Sequence, residues 1–428
     1  MSNSLLNSIM SFWGNSMKLN RIQLNKKSKK YFKEIYKNIK SVDDTLNKKK
    51  DFININVKQF TKKDLLSLSL YNSTYFPFEI KKNTLENTNY ITTVTIKFEN
   101  SSQKSQPKNI QTIVKFYTKY RLNPVVLKNY IRYIYIACQL LRSQQKHNCG
   151  NNLTIHLIMS KSKKVLPKNA TTILDSTHVN SALTTGCEPK GEIIIFRYEE
   201  WTKTLLHELF HILGLDFSSY FLSTNKVVLK KFFHVNSTYN IYETYSEIMA
   251  TLIHTSLISY KLMNETKQLS REKKENESTF IFYVETLLTY ETYFSIFQSM
   301  KIMNTMNITK SMFHKANTNK FNKKHLQTAF KEKTNVFCYY LLKAPLLLHL
   351  NTFIGWIEVN NTSLFQFKNT QNNIENFIYF LDSAFYDDSG IFSKRIYNFI
   401  RTFIDLQRED KKYIDIMNTM RMTVNEYF

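Results

Sequence analysis

The stretch "TKTLLHELFHILGLDFSSYF", Thr202 to Phe221, constrains the fold of this chain more than any other. Leu205, Leu206, Leu209, Phe210, Ile212 and Leu213 make it an apolar helix closed by Gly214, yet His207, Glu208 and His211 sit inside it. Burying three ionisable groups is unfavourable unless a metal ion and further polar partners satisfy them. Four residues turn a helix through about 400°, so His207 and His211 project from one face and both imidazoles can reach one zinc ion. Glu208, next to the first histidine, is then placed to act as general base on a zinc-activated water rather than as a ligand.

Two histidines do not complete a zinc site. Asp216 is the nearest candidate for a third ligand, but in the pattern HExxHxxGxxH, with Gly214 as its glycine, the ligand position is Phe217. Asp216 is one residue out of register and suits a cap on "DFSSYF" instead. The stronger candidate lies in "NIYETYSEIMATLIHTSL", where Glu243 and Glu247 are one turn apart with Ser246 between them. Glu243 would bind zinc, and Glu247 would hydrogen-bond a ligating histidine from behind and fix its tautomer. In the alternative, Asn240 to Glu243 is a capping box and Glu247 is the ligand. Candidates for an oxyanion donor are His254, His234 and Tyr340, with His254 two turns beyond Glu247. Cys187 is either a plain loop residue or a thiolate near the metal.

The flanking sequence organises around this helix. "NYITTVTIKFEN" and "NIQTIVKFYTKY" alternate and read as a hairpin joined by the polar "SSQKSQPK". "NPVVLKNYIRYIYIACQLLRSQ" recurs at helical spacing, with Pro124 in the first turn. "LTIHLIMS" and "EIIIFR" read as strands, separated by "HVNSALTTGCEPKG" as a loop. "EIIIFR", just before the metal helix, is expected at the sheet edge, where Ile194, Ile195 and Phe196 would pair with an extended peptide. Everything beyond about Tyr239 is helical by period, apart from polar breaks.

Glu243, Ser246 and Glu247 resemble the E-x-x-S-[DE] arrangement of thermolysin-like gluzincins, although Glu243 follows His211 by 32 residues, a longer spacing. "HVNSALT", "IIIFRYEEWTKTLLHELFHILGLDFS" and "YETYSEIMA" together resemble a group of zinc-metalloprotease-like proteins encoded by giant DNA viruses of protists. Glu199, Glu200, Trp201 and Lys203 match the helix entry of that group, where they also read as a solvent-facing first turn favoured by the helix dipole. The resemblance implies an α+β, zincin-like metallopeptidase fold. Residues 61–220 would form a small mixed sheet with the active-site helix. Residues 221–428 would form a largely helical part carrying the third ligand, and 1–60 a basic, partly mobile helical arm.

Composition narrows the remaining classes. With 428 residues and 43% hydrophobic content the chain can bury a large core. Its 59 Lys and Arg against 34 Asp and Glu raise nucleic acid as a partner, but Gly (7) and Pro (6) are scarce while Lys, Asn, Ile, Phe and Tyr abound. A/T-rich codon usage accounts for that pattern, and no arginine-rich arm accompanies the charge, so nucleic acid is not favoured. Four scattered cysteines do not suggest a disulfide framework, which fits a reducing compartment, host cytoplasm or virion. No secretory signal is evident, and the apolar run Tyr339 to Ile357 is too interrupted to span a membrane. The expectation is a zinc-dependent peptidase, one Zn2+ per chain, acting on a protein or peptide. The alternative is a non-catalytic, zinc-stabilised virion or nucleic-acid-associated protein; the intact Glu208 weighs against it.

Overall fold

Alternating β-branched residues build a six-stranded mixed sheet: β1 (Ile53–Gln59), β2 (Tyr90–Phe98), β3 (Ile110–Thr118), β4 (Asn152–Ser160), β5 (Ala182–Thr184) and β6 (Lys190–Arg197). The computed structural model describes residues 21–49, 52–98, 110–145, 148–169, 171–270, 277–313, 320–387, 398, 400–401, 404 and 413–428. The strand order is β1-β2-β3-β4-β6-β5. β2 and β3 form the expected antiparallel pair, while their connection, 99–109, lies outside the described residues. β3–β4 and β4–β6 pair in parallel, and β5 runs antiparallel to β6.

The sheet is covered on both faces, which explains the unbroken apolar run of β6. Ile194 and Phe196 face a cluster with Leu65, Phe76 and Ile80. Ile193 and Ile195 point the other way, into the main core with the metal helix. This corrects the edge-strand expectation: β6 is flanked on both sides, Ile194, Ile195 and Phe196 are fully buried, and the edge is β5, inside the stretch read as loop. β1 is also an addition, drawn from a stretch assigned to the N-terminal arm.

Helix α1 (Lys26–Lys48) starts at Asn25, whose side chain accepts from Ser28 N at 2.8 Å. Its Phe32, Ile35 and Ile39 are fully buried in the main core, so this stretch is part of the body rather than an arm. Residues 1–20 of the expected arm lie outside the described residues. α2 (Pro124–Arg142), with Asn123 as cap and Pro124 in its first turn, packs against α1 and against α3 (Trp201–Ile212), the helix that carries His207 and His211. α3 in turn lies along the long helix α4 (Ile241–Ser270), which packs on α5 (Glu277–Thr305).

Beyond these, a π-helical turn (Phe337–Leu342) runs into α6 (Lys343–Leu348) and α7 (Leu350–Asn360), bent by 100°. These segments supply buried apolar side chains to the core, and no single helix among the described residues is long and apolar enough to cross a membrane. The segment Tyr413–Phe428 threads back through the interior, where Thr419 bridges Val165 and Met420 N donates to Lys164 O at 2.9 Å.

Candidate metal centre

Every residue of α3 is buried. The helix ends where Gly214 takes φ +62°, Gly214 N bonds to His211 O and Leu215 N to Phe210 O. A left-handed residue here turns the chain back on the helix. Glycine is required for a second reason, since a Cβ would lie 3.0 Å from Cys187 Sγ and 3.4 Å from Cys149 Sγ. Those sulfurs form a disulfide, so the expectation of unpaired cysteines is corrected. A sequence separation of 38 residues conceals that both flank one turn.

The ligand question resolves geometrically. His207 Nε2 and His211 Nε2 are 3.1 Å apart, and Glu243 Oε2 stands 3.1 Å from the first and 3.2 Å from the second. Donors bound tetrahedrally at about 2.0–2.1 Å are separated by about 3.3 Å, so these three atoms have the spacing and the chemical types of a zinc ligand set. They are a His-His-Glu group that could hold a metal ion. Burial alone would raise the Glu243 carboxyl, but charge on His211 and hydrogen bonds from both imidazoles outweigh it and hold it far below the usual range. For His211, burial favours the neutral ring, yet Glu243 and Asp216 push its pKa well above normal.

Behind the donors lie their supports. His211 Nδ1 bonds to Asp216 Oδ2, which also accepts from Ser246 Oγ at 3.2 Å. Asp216 Oδ1 meanwhile accepts from Ser218 N at 3.0 Å, so the expected cap on "DFSSYF" is real. Asp216 therefore lies outside the three-atom group and supports His211 from behind. Glu247 Oε2 lies 3.3 Å from His207 Nδ1, a close electrostatic contact without the alignment of a hydrogen bond. Glu247 Oε1 is gripped by two buried cations, Lys203 and Lys343, the latter at 3.0 Å. Burial drives Lys203 down to about 8 even with Glu247 opposing it. Glu243 is braced by Tyr339 OH on Oε2 at 3.1 Å and by Asn335 Nδ2 on Oε1 at 3.3 Å. Asn240 bonds Asn335 at 3.1 Å, leaving Glu243 free to enter the site instead of closing a capping box.

Glu208 faces a cavity of about 40 Å³ whose wall includes His207, Lys203, Tyr339, Ala182 and Met422. Burial raises its carboxyl above the usual range against the pull of His207 and His211. Other expected donors are elsewhere. His254 Nε2 is 3.0 Å from Thr202 Oγ1, fully buried, and does not line the cavity. Burial and the charge of Lys203 lower it to about 3. Tyr340 OH is committed to Met420 O, and His234 sits near Lys323 rather than in the cavity wall. Tyr339, one residue from the expected tyrosine, is the phenol at the site.

The helix entry is also unlike a solvent-facing first turn. Glu200 is buried, 2.5 Å from Lys164 Nζ, and accepts from Met422 N and Thr423 N at 2.6 Å each. Lys203 is buried on Glu247.

No known family profile matches this chain, and no solved structure matches it. It is 25% identical over 213 residues to an uncharacterized protein of Acanthamoeba polyphaga mimivirus. That stretch is 49% of this chain and 50% of the relative, so the chain matches about half the relative's length. The similarity is to a giant-virus protein.

Proposed function

We propose that the protein is a zinc-dependent peptidase of gluzincin type. The observation that carries this reading is the convergence of Glu243 Oε2 with both Nε2 atoms, beside a Glu208 that points into a cavity instead of joining them. Zinc held by His207, His211 and Glu243 would supply Lewis acidity, polarising a carbonyl and acidifying water.

The chain's own groups account for the rest. Glu208 takes a proton from the attacking water and returns it to the leaving amine. Its raised pKa brings it nearer the neutral range in which such a shuttle works. Tyr339 OH, kept protonated by burial and by Glu243, donates to Glu243 Oε2 at 3.1 Å and would serve a developing oxyanion by turning from that carboxylate. The peptide would pair with β5. Ser181 O accepts from Phe196 N inside the sheet, so by alternation the N–H and C=O of Ala182 point outward along the free edge.

The test is a proteomic profile of newly formed peptide termini, comparing wild type with Glu208→Gln, both loaded with zinc. The peptidase reading predicts termini that only wild type generates. Identical profiles would leave zinc a structural role.

A further inference from the structure

We infer, resting on the peptidase reading, that this protein cleaves beside a small uncharged side chain, glycine, alanine or serine. The cavity next to Glu208 touches His207, Tyr339 and Ala182, whose backbone N–H and C=O point away from β6, so the side chain entering it belongs to a residue flanking the scissile bond. Its volume is about 40 Å³. One water needs about 10–15 Å³ on that measure, so a methyl or hydroxymethyl group fits and a leucine or phenyl side chain does not.

Met422 forms part of the same wall, and its backbone is held from both sides. Met422 N donates to Glu200 Oε1 at 2.6 Å, and Met422 O accepts from Lys343 Nζ at 2.6 Å. Thr423, next along, is fully buried and bonded to Glu200 and Glu291. The cavity cannot widen by displacing this segment without breaking those buried charge-assisted bonds.

Acidic side chains are excluded for a separate reason. The two lysines in the wall, Lys164 and Lys203, are already paired with Glu200 and Glu247. An acidic side chain gains no unpaired cation there and meets the carboxyl groups of Glu208 and Glu247, while a lysine or arginine is too long for the space.

The experiment is cleavage of a proteome-derived peptide library by the zinc-loaded full chain, with wild type, Met422→Ala and Glu208→Gln compared. The inference predicts Glu208-dependent cleavage with Gly, Ala or Ser at one position flanking the cut. Leu or Phe there should be cut at least about tenfold more slowly. Met422→Ala should admit Val and Leu at that position, recovering most of the difference. Glu208-dependent cleavage with large residues on both sides overturns this inference and leaves the peptidase reading standing. No Glu208-dependent cleavage overturns both. A Met422→Ala profile identical to wild type overturns Met422 as the limiting wall, and should that variant not fold, the wild-type profile decides alone.

Discussion

Asp216 Oδ2 is hydrogen-bonded to Nδ1 of His211, the side of that ring facing away from Glu243. Five residues separate the two, and the Gly214 turn brings them together. An acid in this position holds the ring with Nε2 directed at His207 and Glu243 and would make it a better donor to a bound metal.

Asp216→Ala is therefore expected to weaken zinc binding by about 10–100-fold while the fold persists. Competition with a chromophoric chelator measures this, and circular dichroism checks the fold. Unchanged affinity would mean that His211 is oriented by packing alone.

Glu247 lies between Lys203, Lys343 and His207 in the interior. Removing it strands two buried ammonium groups, so Glu247→Ala should cost about 3–5 kcal/mol in urea unfolding. Glu247→Gln, which keeps an acceptor of the same shape, should cost less. Equal, small losses for both variants would show that the lysines find other partners.

Much of this site was legible in sequence because its signals are local. The HExxH spacing and the E-x-x-S-E spacing each place two groups on one helical face. The supports were not legible, since Lys203 with Glu247 and Lys343 with Glu247 pair across 44 and 96 residues. Tyr339 was missed in favour of Tyr340 because the π-helical turn changes which side chain faces the site.

Strand placement failed for opposite reasons at the two ends of the sheet. β5 is only three residues, Ala182 and Leu183 buried and Thr184 half-buried, too short to show an alternation or an apolar run. β1, "ININVKQ", does alternate, but most of it is exposed and it sits beside lysine-rich sequence that reads as helix. The run "IIIF" was itself evidence for a strand covered on both faces, and so against an edge.

Glu332 supplies a pH signature from outside the His-His-Glu group. Its Oε2 accepts from Phe337 N at 2.8 Å, and burial raises its pKa from 4.5 to about 7, against the hydrogen bonds it accepts. A carboxyl raised on folding adds stability that is fully present below its unfolded pKa and is lost as pH rises through the folded one. Thermal stability should fall between about pH 4.5 and 7, and Glu332→Gln should reduce that fall. Parallel melting-temperature profiles for the two proteins would contradict this assignment.

The Cys149–Cys187 bond closes a separation of 38 residues. Loop-closure entropy gives it about 3–4 kcal/mol. Cys149→Ser with Cys187→Ser should lose that amount in denaturant unfolding, and reductant should then have no further effect on the variant. A double variant as stable as oxidised wild type would remove this contribution.

The central claim is most directly tested by locating zinc in crystals of the zinc-loaded protein from anomalous scattering at the zinc edge. The account predicts one ion per chain, bound by His207 Nε2, His211 Nε2 and Glu243 at about 2.0–2.2 Å, with Glu208 not coordinated. Zinc bound elsewhere, or an empty His-His-Glu group in crystals grown with excess zinc, would contradict it.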